Sequence, residues 1–240
     1  GGRWAIFLIW QPKHTPWYVQ NALDALEAAK INVFLVVNHE LPDDRRHELT
    51  KQSARIMIRD NTGSDIGGYQ DATLHLSKTT EVSRVLYLND SVYFFAKGLA
   101  PLFERLMSSK ADVASAFENW QIHYHLQSFC FAISGEMLRH PKFIAFWENY
   151  LPVNSRAWAI NKGEVGISRA LLPIASSFDV IYTPAVIRER LSQLSKNDLM
   201  DMDGCLPQYF RIGYEASRRL SVAALAAEIC RRITLMSQIH

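Results

Sequence analysis

Four short apolar runs mark the first half of the chain: Trp4 to Trp10, Ile31 to Val37, Ala54 to Ile58 and Arg84 to Leu88. Stretches of helical patterning separate them. A strand that is apolar at nearly every position is covered on both faces. Strands that alternate with helices build a mostly parallel sheet with helices on either side. Ligands of such sheets bind beyond the carboxyl ends of the strands. Asn38-His39, Asp60-Asn61 and Asn89-Asp90-Ser91 follow three of those ends and are the first places to look for chemistry.

The remaining pattern extends this reading. Thr15 reads as an N-cap with Pro16 at the first helical position of a helix reaching about Lys30. Leu41 to Gln52 is polar and helix-like, and a glycine-rich turn at 62–68 opens a helix to about Ser77. Asp112 to Phe117, Gln127 to Ile133 and Phe178 to Tyr182 read as further strands; Pro141 to Tyr150 and Gly163 to Leu172 read as helices. From Arg188 a polar stretch, Ser192 to Asp203, leads to an amphipathic helix from about Tyr214 to Ser237. The expected organisation is one α/β domain over residues 1–187 and a helical C-terminal extension over 188–240.

Bulk properties exclude several classes. With 240 residues, 48% hydrophobic and 21% charged, the chain can bury one sizeable core. A formal net charge of +2 gives no nucleic-acid footprint, so no nucleic-acid partner is expected. Cys130, Cys205 and Cys230 are widely spaced and form neither a disulfide framework nor a CxxC pair. The first apolar run is too short to span a membrane and lacks a cleavage pattern, so a cytoplasmic location is expected. The chain opens on Gly1-Gly2 without methionine. This reads as an excised domain, with sequence beyond either end carrying part of the function.

Four segments could carry chemistry. In Asn61-Thr62-Gly63-Ser64-Asp65-Ile66-Gly67-Gly68-Tyr69, glycines after a strand let backbone approach a ligand, and the following helix start can face an anion. Asp65 would accept from a ribose hydroxyl or a base N–H. The spacing fits neither GxGxxG nor a P-loop, and a tight turn with Asp65 as helix cap is the plain alternative. Asn89, Asp90 and Ser91 lie where substrate phosphates sit in α/β sheets, and Asp90 could hold a divalent cation. Those residues also make ordinary turns.

His123, His125 and Gln127 would share one face if their segment were a strand. Hydrogen bonds to sugar hydroxyls or phosphate, a two-histidine metal site, or simple loop capping all fit. Glu164, at the start of the helix read from Gly163, would be kept ionised by the helix dipole, as a general base requires. A plain first-turn glutamate is the alternative.

Together these segments resemble the rhamnan synthesis protein F family of glycosyltransferases. The resemblance rests on Asp65-Ile66-Gly67-Gly68-Tyr69, Leu88-Asn89-Asp90-Ser91-Val92, His125-Leu126-Gln127-Ser128-Phe129, Pro141-Lys142-Phe143 with Phe146-Trp147, and Glu164-Val165-Gly166-Ile167-Ser168. It runs from about Trp4 to Tyr182. It implies a GT-A fold, a Rossmann-like sheet that binds a nucleotide-diphosphate sugar, and transfer of a sugar, rhamnose being the familiar case, to a growing surface polysaccharide or O-antigen.

On that pattern Asn61, Gly63, Asp65, Gly67, Tyr69, Asn89, Asp90 and Ser91 would bind the donor. Trp120, His123, His125, Gln127 and Ser128 would bind donor or acceptor, and Glu164 would be the base of an inverting displacement. Tyr124, like Trp120, could offer a flat face to a sugar. Asn89 and Ser91 occupy the places of the usual aspartate pair. Asp90 would therefore hold Mg2+ or Mn2+ alone, or no metal would be used and Arg59, Lys97 or Arg156 would meet the diphosphate.

Two rival readings stand beside this one. A non-catalytic nucleotide- or glycan-binding domain of a larger synthase would explain the missing aspartate pair. A metal-dependent hydrolase would use His123, His125 and Asp90. The C-terminal helix, with Arg218, Arg219, Arg231 and Arg232 beside Leu225 and Ile229, could lie on an anionic membrane where a lipid-linked glycan acceptor is found, or pack on the core.

Overall fold

The computed structural model describes residues 1–78, 81–120 and 122–236. The strands are β1 (Gly2–Ile9), β2 (Asn32–Val37), β3 (Arg55–Ile58), β4 (Val82–Asn89), β5 (Val113–Ser115), β6 (Glu118–Asn119), β7 (His125–Leu126), β8 (Cys130–Ser134) and β9 (Phe178–Val180). Seven of them form one sheet in the order β3-β2-β1-β4-β8-β5-β9. Six run the same way and β8 runs against its neighbours β4 and β5. The expected mostly parallel α/β sheet flanked by helices is therefore present. β1 lies between β2 and β4, and Ala5 to Ile9 are fully buried, which is why the first run is apolar throughout.

Helices α1 (Trp17–Ala28), α2 (Asp43–Thr50), α3 (Ser64–Leu76), α4 (Leu99–Ser108), α5 (Gly135–Arg139), α6 (Pro141–Asn149), α7 (Arg156–Trp158) and α8 (Val165–Leu171) complete this part. α1 begins one residue later than the sequence suggests: Pro16 is the N-cap, with extended backbone, and Thr15 makes no cap. α4 carries Pro101 in its first turn, where a missing N–H costs nothing; that proline hides the helix from pattern reading.

The glycines of α3 are packing glycines. A Cβ on Gly68 would stand 2.0 Å from Leu8 Cδ1, and one on Gly67 would stand 2.3 Å from the Thr62 carbonyl oxygen. Both residues are buried, so their close approach is to protein and not to a ligand. Gly67→Ala is expected to destabilise the fold by about 1–3 kcal/mol despite a helix-propensity gain of roughly 1 kcal/mol. Urea unfolding of the variant checks this, and an unchanged midpoint would refute the backbone clash.

The chain divides into two compact units, residues 1–116 with 125–180, and residues 117–124 with 181–240. The second contains β6, α9 (Pro184–Ser192), α10 (Lys196–Cys205), α11 (Tyr214–Arg219) and α12 (Val222–Met236). Ser195 and Asp198 form a capping box that starts α10 inside the stretch read as polar.

The single long helix expected from Tyr214 is broken at Leu220, which is extended. Ser221 Oγ then accepts from Ala224 N and starts α12. Residue 237, the expected helix end, lies outside the described residues. The apolar side of α12, Leu225, Ala226, Ile229 and Cys230, packs against Leu191 and Leu199. Arg231 and Arg232 both pair with Glu228. The face proposed from sequence to meet a membrane is thus spent inside its own unit.

Candidate active site

Four adjacent parallel strands, β3, β2, β1 and β4, end at one edge of the sheet, and the reversed strand brings distant sequence to the same edge. Leu88 of β4 pairs with Cys130 at the start of β8. Asp90 and Ser128, each two residues further out, therefore emerge together. Asp65 joins them from the first turn of α3, directly after β3.

Asp90 is held from below. Its Oδ2 accepts from Trp10 N at 2.8 Å and from Gln11 Nε2 at 2.8 Å. Burial raises its pKa, and those two hydrogen bonds and His39 oppose the rise. Asn89 is buried, and its Oδ1 accepts from Ser91 N at 3.1 Å and Ser91 Oγ at 2.5 Å. That bond ties the turn and makes Asn89 a brace. Gln11 gives no motif signal; only its place after β1 points to it.

The loop before α3 is equally braced. Gly63 is left-handed (φ 73°), and its N–H donates to Asn154 Oδ1 at 2.7 Å, so that group is not offered to a ligand. Asn61 Oδ1 accepts from Asn38 Nδ2 at 3.0 Å. Arg59 donates to Asp71 Oδ2 at 2.7 Å, Asn38 Oδ1 at 3.0 Å and the Thr62 carbonyl at 2.8 Å. It ties the loop down, and this corrects its assignment as a diphosphate ligand. Lys97 and Arg156 are exposed. Tyr69 is also corrected: it is fully buried, its hydroxyl donates to the Ser128 carbonyl at 2.9 Å, and its ring stands edge-on to Tyr87. It supports the Ser128 turn and has no surface for a donor.

Glu164 is not at a helix start. α7, a π-helical segment from Ala159 to Glu164 and α8 form one continuous helical stretch, so the helix-dipole argument fails for it. Its carboxylate is held by side chains and backbone from the β7–β8 turn. Oε1 lies 3.2 Å from His125 Nε2, and Oε2 accepts from Ser128 N at 3.2 Å and Ser128 Oγ at 2.5 Å. Burial pushes its pKa up, but the bonds from His125 and Ser128 outweigh burial and hold it below the ordinary glutamate value. The π segment and Gly163 set this position. A Cβ at Gly163 would lie 2.6 Å from Ile66 Cγ1, so Gly163 seats the helix against α3, one residue from Asp65. π-bulges occur frequently at functional sites.

Asp65 is pushed up to about 7 by burial and by the Asp90 and Glu164 carboxylates. The edge thus gathers Asp65, Asp90 and Glu164 with His125 and Ser128. Gln127 is buried in the same turn, and Ser168 Oγ accepts from Leu126 N at 2.9 Å, pinning β7.

His123 does not share a strand face with His125. β7 covers only His125–Leu126, and Ile122 turns the chain with φ 67°. His123, Trp120 and Tyr124 belong to the second unit, where the Trp120 and Tyr124 rings lie 4.6 Å apart and Trp120 is 65% exposed. Among the described residues no group of three His, Cys, Asp or Glu side chains is placed to hold a metal ion. The strand face that His123 and His125 would share as ligands is not formed.

The family model of rhamnan synthesis protein F matches residues 33–199, well over half of the chain. The chain belongs to the rhamnan synthesis protein F family. All five site residues of the edge lie inside the matched span. The chain is 25% identical over 200 residues to the uncharacterized protein y4gN of Sinorhizobium fredii, covering 81% of this chain and 52% of that one. The chain thus spans about half the length of that curated relative.

Among solved structures it is similar to Staphylococcus aureus TarS 1–349, at 13% identity and a TM-score of 0.46, over 98% of this chain and 73% of that one. It is also similar to the glycosyltransferase GlyE of Streptococcus pneumoniae, at 12% identity and a TM-score of 0.42, over 98% and 64%. No helix among the described residues is long and apolar enough to cross a membrane.

Proposed function

We propose that the protein moves a sugar from a nucleotide-diphosphate donor to a hydroxyl of a growing glycan, with inversion and with Glu164 as the base. The observation that carries this is the Glu164 carboxylate, kept ionised by His125 and Ser128 beside Asp65 and Asp90 at the carboxyl edge of the sheet. Three of the roughly four acceptor positions of a carboxylate are in use, which leaves one for an acceptor hydroxyl. That hydroxyl oxygen attacks the anomeric carbon as its proton passes to Glu164, and the nucleoside diphosphate leaves from the opposite face. A surface polysaccharide or O-antigen acceptor, rhamnose as the sugar and a cytoplasmic site of action are parts of this reading.

Asp65, Asp90 and Ser91 face the donor in this proposal, and Asn61, Gly63, Gly67, Tyr69 and Asn89 shape the loops beneath it. His125, Gln127 and Ser128 orient the base. The donor set fits a dedicated Mg2+ or Mn2+ site poorly, since Asp90 Oδ2 already accepts two N–H groups.

A second reading makes Asp65 the base, because a pKa of about 7 suits proton abstraction near neutral pH. The pH–rate profile separates them. With Glu164 as base, kcat/KM stays level through pH 7 on the acid side. With Asp65, it falls with unit slope below about 7.

Donor use is tested by thermal shift with nucleoside diphosphates and their sugars, each with and without Mg2+ or Mn2+. Stabilisation by one nucleotide with little metal dependence is the expected result; by linkage, 100 Kd of ligand contributes about 2.7 kcal/mol. No shift with any of them would transfer the weight to a non-catalytic binding domain.

A further inference from the structure

Outside the acidic edge, the first unit exposes a group of large aromatic rings. Trp17 is 52% exposed, Tyr93 68% and Phe95 67%. They touch one another: the Trp17–Tyr93 centroids are 5.8 Å apart, Trp17–Phe95 5.3 Å and Tyr18–Tyr93 5.0 Å. Exposed apolar patches of this kind mark interaction sites.

The exposure is built in. Phe94, between two outward rings, is buried edge-on against Phe7 and Phe103 at 6.1 Å each. Its carbonyl accepts from Asn21 Nδ2 at 2.9 Å. With Phe94 driven inward, its neighbours Tyr93 and Phe95 are held outward.

The charge within the segments that present the rings has one sign. The two loops that present them, residues 10–18 and 91–98, contain Lys13, His14 and Lys97 and no aspartate or glutamate. Arg45, which donates to the Pro12 carbonyl at 3.0 Å, follows Asp43 and Asp44 in α2 and adds no net charge. Asp90, the nearest acid in sequence, is turned inward onto Trp10 N and Gln11. The rings are tilted by 35° to 60° to one another, so they present no common flat face to a sugar ring. Tryptophan, tyrosine and phenylalanine on segments whose own charges are Lys13 and Lys97 match the headgroup region of an anionic bilayer, where aromatic rings insert and lysines meet phosphate.

We infer that this aromatic patch seats the first unit on an anionic lipid surface. Gln11 joins the patch to the edge, donating both to Tyr18 Oη at 3.0 Å and to Asp90. Seating the patch therefore places the acidic edge close to the bilayer. The inference stands apart from the transfer reading.

The test is co-sedimentation with phosphatidylcholine vesicles containing about one third phosphatidylglycerol, and with pure phosphatidylcholine. The wild-type chain is expected to pellet with the anionic vesicles and to be released by high salt. A Trp17→Ser/Tyr93→Ser/Phe95→Ser variant should bind at least tenfold less. Lys13→Glu/Lys97→Glu should lose about fivefold or more per lysine, at about 1 kcal/mol each. Thermal melts confirm that each variant is folded. A wild-type chain that stays in the supernatant overturns the inference, as do aromatic variants that pellet like wild type. So does a patch whose loss abolishes binding of methyl α-rhamnoside while vesicle binding is unchanged. The nucleotide thermal shift of the same variants keeps this outcome distinct from failure of the transfer reading.

Discussion

Glu164→Gln lowers turnover of sugar transfer by about 10²–10⁴-fold, the usual contribution of a positioned base, while nucleotide-induced stabilisation stays as in wild type. Glutamine keeps the size and one acceptor oxygen of the side chain, so contacts to Ser128 can persist. What disappears is the negative charge that receives the acceptor proton. The effect therefore belongs to kcat rather than to donor affinity. Single-turnover assays with a nucleotide sugar and a glycan acceptor measure it. Near-wild-type turnover would remove Glu164 from the chemistry and leave Asp65 as the candidate.

Asp65→Asn raises thermal stability at alkaline pH, and the gain vanishes in acid. The sign follows from linkage. In the fold, burial and the Asp90 and Glu164 carboxylates hold the Asp65 pKa up to about 7. The folded state therefore binds that proton more tightly than the unfolded chain. Its stabilising contribution is full below about pH 4 and is lost as pH rises through about 7.

Asparagine cannot ionise and escapes that loss. A pKa moved from 3.8 to about 7 corresponds to on the order of 4 kcal/mol. Residual solvent contact trims this to about 2 kcal/mol, or roughly 4–8 °C in Tm for a chain of this size. Differential scanning calorimetry should show the gap between variant and wild type opening from about pH 4 and levelling off above about pH 7. A gap that is flat across pH would mean that the three carboxylates do not repel one another as their placement implies.

Much of this was legible in the chain, for identifiable reasons. β1, β2 and β4 announce themselves because both faces of the central strands are covered. Asp65 and Asp90 were found because carboxyl ends of such strands are where sites form. The details that were not legible all depend on partners distant in sequence. The roles of Gly67 and Gly68 depend on Thr62 and Leu8, and Arg59 reads as a free cation until Asn38 and Asp71 are seen around it.

The helix-start argument does not hold for Glu164. A glycine before a glutamate suggests a helix start, whereas Gly163 lies in the middle of a helix and packs on Ile66. His123 and His125 share a face only if their strand is long enough, and it covers two residues. The aromatic patch went unread because exposed and buried rings look alike in a sequence: Tyr93, Phe94 and Phe95 differ only in what lies beside them.

The reversed strand β8 has a consequence for how the chain acquires its structure. During synthesis β1 to β4 can pair as they emerge, but the flank of β4 that faces away from β1 must wait for residues 130–134. Until then the apolar segment Val85 to Leu88 is an open sheet edge, the kind of surface on which chains associate wrongly. A fragment ending before residue 130 therefore keeps that edge permanently and should be found in inclusion bodies. Closing that edge also brings Ser128 out beside Asp90, so the step that removes the open strand is the one that begins to assemble the acidic edge, which Glu164 completes when it follows.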